Sequence, residues 1–168
     1  MKILFALFMV FSLPLSAETA WDEIRTALVA PTEIRVYRSP DCQCCHKWIQ
    51  HLETHGFTVI DEVTHNLENT PARAQVPSVM RSCHTAVVDG YLIEGHVPAD
   101  DIKRLLAQKP DILGLSVPRM PVGTPGMEMG MKKDNFTVVS FDRDKQYRIF
   151  NRYNVGPDLL YHSDIHPE

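Results

Sequence analysis

Apolar and polar residues alternate along Glu33–Arg38, where Ile34 and Val36 fall on one face, and this pattern predicts a β-strand. Pro40-Asp41 breaks it. The period then changes: Cys45, Ile49 and Leu52 recur at helical spacing, and Trp48 widens the stripe. A helix is expected from about Cys42 to His55, with Asp41 as N-cap and Gly56 as the residue that ends it. Phe57–Ile60 predicts a second strand. Upstream, Trp21–Ala30 reads as a short helix that Pro31 terminates.

Residues 66–82 are polar and carry Pro71 and Pro77, which suits a short helix and a turn. Thr85–Val88 and Tyr91–Ile93 flank Asp89-Gly90, a strong hairpin signal. Pro98–Gln108 predicts a helix that turns Ile102, Leu105 and Leu106 inward. Residues 110–131 hold four prolines, four glycines and four methionines, and are expected to form an irregular arm. Phe136–Phe141 and Gln146–Arg152 read as a second hairpin around Asp142-Arg143-Asp144, and the final residues give no clear signal. Strand, helix, strand, irregular helix, hairpin and helix, in that order, match a thioredoxin-like α/β plan with a mixed sheet and flanking helices. A Met/Pro/Gly-rich C-terminal arm and a β-hairpin extend it.

Lys2, the apolar run Ile3–Leu15 and the small-residue exit Leu15-Ser16-Ala17 predict a cleavable export signal over residues 1–17. The run is short for a bilayer span, so no membrane attachment is expected after cleavage. Residues 18–32 then form a lead-in, 33–150 a single domain with arm and hairpin, and 151–168 a tail. Cleavage removes one lysine and no acid, which moves the formal charge from −4 to −5. No basic cluster points to nucleic acid.

The candidate chemistry lies in the cysteines. Three of the four sit within Cys42-Gln43-Cys44-Cys45, and Cys83 directly precedes His84. Cys42 and Cys45 form a C-x-x-C at a helix start, where unpaired amides and the positive dipole end lower thiol pKa values below the ordinary ~8.5. Such thiols serve disulfide exchange or metal binding, and a static bridge is the plainer alternative. On an ideal helix Cys44 lies about 100° from Cys45, so three sulfurs converge only if the first turn loosens. They could instead line a small polynuclear cluster. A dithiol oxidoreductase has no need of Cys44. No proline occurs between Pro77 and Pro98, so the position where thioredoxins carry a cis-proline holds His84. The soft donors favour Cu(I), with zinc in a Cys₄ or Cys₃His site as the rival.

The donor set expected for metal is Cys42, Cys44, Cys45, Cys83, His84 and Met127, with His46 and His96 as weaker candidates. His51, His55 and His65 are expected to face solvent. Met127, Met129 and Met131 alternate within an arm that offers little core to fill, whereas Met80 and Met120 read as packing residues.

Four ordered motifs carry a resemblance: Ser39-Pro40-Asp41-Cys42-Gln43-Cys44-Cys45, Ser82-Cys83-His84-Thr85-Ala86-Val87-Val88-Asp89-Gly90-Tyr91, Ile93-Glu94-Gly95-His96-Val97-Pro98 and Gly123-Thr124-Pro125-Gly126-Met127-Glu128. Over about residues 33–150 the chain resembles the CopG-type copper-resistance family. The resemblance implies a periplasmic, thioredoxin-like protein of Gram-negative bacteria that binds copper through these cysteines, beside copper-export or copper-chaperone proteins. Cycling between Cu(I) and Cu(II) is a further expectation. Two other functions stay open at this point: a thiol-disulfide oxidoreductase using Cys42 and Cys45, and a zinc- or disulfide-stabilised binding module.

Overall fold

The computed structural model describes Trp21 and residues 23–164. The export signal expected at residues 1–17 lies outside the described residues. One mixed sheet organises the chain. Its strands are β1 (Thr32–Arg38), β2 (Phe57–Val63), β3 (His84–Val88), β4 (Tyr91–Glu94), β5 (Gly114–Ser116), β6 (Phe136–Phe141), β7 (Tyr147–Val155) and β8 (Tyr161–Ser163), in the order β2-β1-β3-β4-β5-β6-β7-β8. The pairs β1–β2 and β4–β5 are parallel, and the others are antiparallel. Helices α1 (Gln43–Thr54) and α3 (Ala99–Gln108) supply the parallel crossovers, and α2 (Pro71–Gln75) lies before β3.

Side-chain alternation explains the layering. Ile34 and Val36 of β1, Ala86 and Val88 of β3 and Ile93 of β4 meet Trp48, Ile49 and Leu52 of α1 and Ile102 and Leu105 of α3. The intervening Tyr37, Val87 and Leu92 face the other way, onto Ala72, Val76 and Met80. Burial on both faces is what a mixed sheet with parallel crossovers requires. At Asp89-Gly90 both residues have positive φ, 45° and 83°, the backbone that a two-residue hairpin turn demands.

Several local expectations change. Trp21–Ala30 forms no helix among the described residues. It runs as an irregular segment in which Trp21 packs on Phe136, Tyr153 and Tyr161 and its indole donates to the Gly123 carbonyl at 2.7 Å. Tertiary burial of one aromatic overrides a weak helical preference. Asp41 is not the N-cap of α1. Cys42 occupies that place, with φ −80°, ψ 86° and no side-chain cap bond. The arm is not wholly irregular either, because Gly114-Leu115-Ser116 is a fully buried strand joining β4 to β6. At three residues it is too short for periodicity to reveal. Finally, β7 runs past residue 150 and β8 pairs with it, so the tail is stitched to the sheet as far as Ser163.

Candidate metal centre

The loop after β1 delivers Cys42 just before α1, while Cys44 and Cys45 sit on the helix's first turn. The loosening that three sulfurs need is therefore present: Cys42 stands outside the helix and turns back over it. Cys83 arrives from the other side, one residue before β3. The sulfurs of Cys42, Cys44, Cys45 and Cys83 all lie within 4.8 Å of one another. Cys42 and Cys45 are joined by a disulfide, and Cys44 and Cys83 are free thiols. The Cys44 sulfur is 3.5 Å from that of Cys42. Cys45 is fully buried, and the other three are half-buried.

A second donor group shares Cys83. The His84 Nδ1 lies 3.3 Å and the His96 Nε2 3.1 Å from the Cys83 sulfur, and the three form a compact Cys-His-His set. His96 belongs here because antiparallel pairing sets Glu94 opposite Thr85, so the end of β4 returns beside the start of β3. His96 donates from Nδ1 to the Pro125 carbonyl at 2.7 Å, which leaves Nε2 as a lone pair turned toward Cys83. His84 is fully buried against Trp48, and its Nε2 has no hydrogen-bond partner. The Cys83 sulfur, with Nδ1 of His84 and Nε2 of His96 turned toward it, is a donor set that fits a soft or borderline metal.

The arm closes the site. Gly126, at φ +81°, passes so close to α1 that an added Cβ would lie 2.7 Å from the Trp48 nitrogen and 2.8 Å from the Cys44 carbonyl oxygen. Met127 follows it and is buried. Gly126→Ala is expected to cost about 1–3 kcal/mol in left-handed strain, and more through the close approach. Urea denaturation of the metal-free protein checks this, and unchanged stability would mean that the arm is not seated there. The other methionines separate: Met80 is core, whereas Met120, Met129 and Met131 are exposed, so Met120 is not the packing residue expected. His46 is exposed beside Gln50 and stands outside both donor groups.

Burial, followed by the Cys44 sulfur beside it, pushes the Cys83 thiol up to about 12. Binding a soft cation there at neutral pH must therefore displace a proton. Burial likewise holds His96 down at about 4, and holds His84 well below the ordinary imidazole range.

His51 and His55 are buried rather than solvent-facing, because α3 and the Trp21 segment cover that side of α1. His51 Nε2 accepts the Ala99 N–H at 3.0 Å, satisfying an orphan donor at the start of α3. His65 is exposed, as expected. Burial, followed by the neighbouring His55, Lys103 and His96, lowers His51 to about 3. The unfolded chain takes up this proton near pH 6.5, but the folded chain does not, so stability falls as the pH drops below 6.5. At roughly 1.4 kcal/mol per pKa unit, His51 alone accounts for about 3 kcal/mol between pH 6.5 and 4. Glu94 and Asp101, both raised first by burial, act in the opposite sense. His51→Gln should flatten the fall of Tm over that window, and an unaltered slope would remove His51 as its source.

The sequence matches the family described as "Protein of unknown function, DUF411" over residues 80–127, the stretch from Met80 through Met127. No curated protein matches. Two solved structures are similar, both of copper resistance protein CopG. Form 2 is 45% identical with a TM-score of 0.70, covering 74% of this chain and 100% of that one. Form 1 is 46% identical with a TM-score of 0.69, covering 74% and 98%. No described helix is long and apolar enough to cross a membrane. With four clustered sulfurs, the mixed α/β sheet and this identity across the whole of the solved chain, the protein belongs to the CopG copper-resistance family.

Proposed function

We propose that the chain is a periplasmic copper-binding protein of copper resistance that holds Cu(I), as more than one ion, among Cys42, Cys44, Cys45 and Cys83. Copper here is cargo. The observation that carries the reading is the mutual proximity of four sulfurs, with two buried imidazoles sharing Cys83. Soft thiolates select Cu(I), and bridging sulfur lets adjacent ions share donors. Met127, buried on the arm beside α1, is the proposed thioether donor. His84 and His96 complete the set. The thioredoxin-like plan is supported by the order β2-β1-β3-β4 with α1 and α3 on one face. Likeness to copper resistance protein CopG supports the copper assignment, and the export-signal pattern supports the compartment. Copper-export and copper-chaperone proteins of that compartment are the proposed partners.

The Cys42–Cys45 bridge makes donor capacity depend on oxidation state. Closed, it leaves two thiols; opened by two electrons, it provides four. Two Cu(I) ions can supply those electrons, becoming two Cu(II) as the S–S bond becomes two thiolates, and the reverse transfer recloses it. This couples Cu(I)/Cu(II) cycling to the same atoms.

Metal analysis of protein purified anaerobically from copper-supplemented cells separates this reading from a zinc site. Copper in excess over zinc is the expected result. Stoichiometric zinc without copper would establish the rival.

A further inference from the structure

Glu94 is an acid with no exposed surface, set in the sheet below the donor groups. Its Oε1 accepts the Ser82 N–H at 2.5 Å, and its Oε2 accepts the Thr85 hydroxyl at 2.6 Å. Arg73 of α2, also buried, pairs with Glu94 through Nη1 and donates from Nη2 to the Ser82 carbonyl at 2.9 Å. Both backbone groups of Ser82 are thus held by one ion pair, and the same pair grips Thr85. Between these two anchors lie only Cys83 and His84. Glu68 extends the chain of charges, bridging Arg73 and Arg81 at 2.8 Å each. The Ser82 hydroxyl adds a bond to the Arg119 carbonyl on the arm.

A buried ion pair is a poor device for stability alone, because well-packed apolar residues of similar volume often serve as well or better. Its value lies in direction. A carboxylate with two oxygens and a planar guanidinium fix the segment they bond in one geometry. Apart from the Glu68 bridge, the bonds that this pair makes beyond itself end on Ser82 and Thr85, the residues flanking Cys83 and His84.

We infer that Glu94 and Arg73 are positioning residues that hold the Ser82–Thr85 segment so that Cys83 and His84 present their donors to copper. This rests on the copper-binding reading above, and it adds residues that touch no metal. Tethering of this kind lowers the cost of assembling a site. Its loss typically weakens metal binding about 10- to 100-fold.

The test uses the full mature chain and two variants. Glu94→Gln keeps the shape but leaves Arg73 with an uncharged partner. The double variant Arg73→Met/Glu94→Leu replaces the pair with apolar volume and guards against a simple failure to fold. Circular dichroism establishes folding, and amide exchange at residues 82–84, metal-free and reduced, reads the clamp directly. Competition with a Cu(I) chelator reads its consequence. In the folded double variant, exchange at Ser82 and Cys83 is expected to rise about ten-fold or more, and Cu(I) affinity to fall about ten-fold or more. Unchanged exchange would overturn the clamp. Faster exchange with copper affinity within about two-fold of the parent would overturn its role toward copper. If the parent itself binds no Cu(I), the proposed function fails, and the positioning of Cys83 is then decided by exchange and by the rate of Cys83 alkylation.

Discussion

Cys83→Ser is expected to lower Cu(I) affinity about a hundred-fold or more while leaving the apo fold within about 1 kcal/mol of the parent. Cys83 is the residue common to both donor groups, so its loss removes a ligand from the four-sulfur set and the sulfur of the Cys-His-His set together. Serine offers a hard, poorly ionised oxygen that soft Cu(I) does not favour. The side chain is half-buried and belongs to neither hydrophobic cluster, so little packing is lost. Chelator competition and thermal denaturation check the two halves. A collapse of apo stability with copper affinity intact would make Cys83 structural.

General disulfide reductase activity is expected to be at least about a hundred-fold below that of a dedicated thioredoxin in insulin reduction. Exchange requires an accessible thiolate and a surface that aligns the incoming disulfide. Cys45 is fully buried, and the Cys44 sulfur lies 3.5 Å from that of Cys42, poised to divert a mixed disulfide. The fully buried His84 begins the strand where thioredoxins place a cis-proline, and no cis peptide bond occurs among the described residues. Insulin turnover at a thioredoxin-like rate would make disulfide exchange the better account of Cys42 and Cys45.

Much of the architecture was legible where long periodic runs met strong punctuation. The helix from Cys45 through Leu52, the Asp89-Gly90 hairpin and the Phe136 hairpin are of that kind, because apolar spacing and turn chemistry agree there. Legibility failed where distant packing decides. Trp21 gives up a local helix to bury its ring among Phe136, Tyr153 and Tyr161, partners more than a hundred residues away. His51 and His55 look polar in sequence and become buried because α3 and the Trp21 segment cover them. At the site, the cysteines announced themselves by crowding. Glu94 and Arg73 did not: Glu94 lies within one of the four motifs, but nothing in the spacing pairs it with Arg73, a lone base in a five-residue helix. Antiparallel register was the one available signal that would have drawn His96 and Glu94 toward Cys83.

The most direct test of the copper assignment is anaerobic titration of the mature chain with Cu(I) against a chelator, before and after reduction of the Cys42–Cys45 disulfide. Four thiolates within reach of one another have more donor capacity than a single two- or three-coordinate ion uses. The reduced protein should therefore bind more than one Cu(I) per chain, and the disulfide form at most one for as long as the bridge stays closed. Saturation of the reduced protein at one equivalent or less, with no change on closing the disulfide, would contradict a shared four-cysteine copper site.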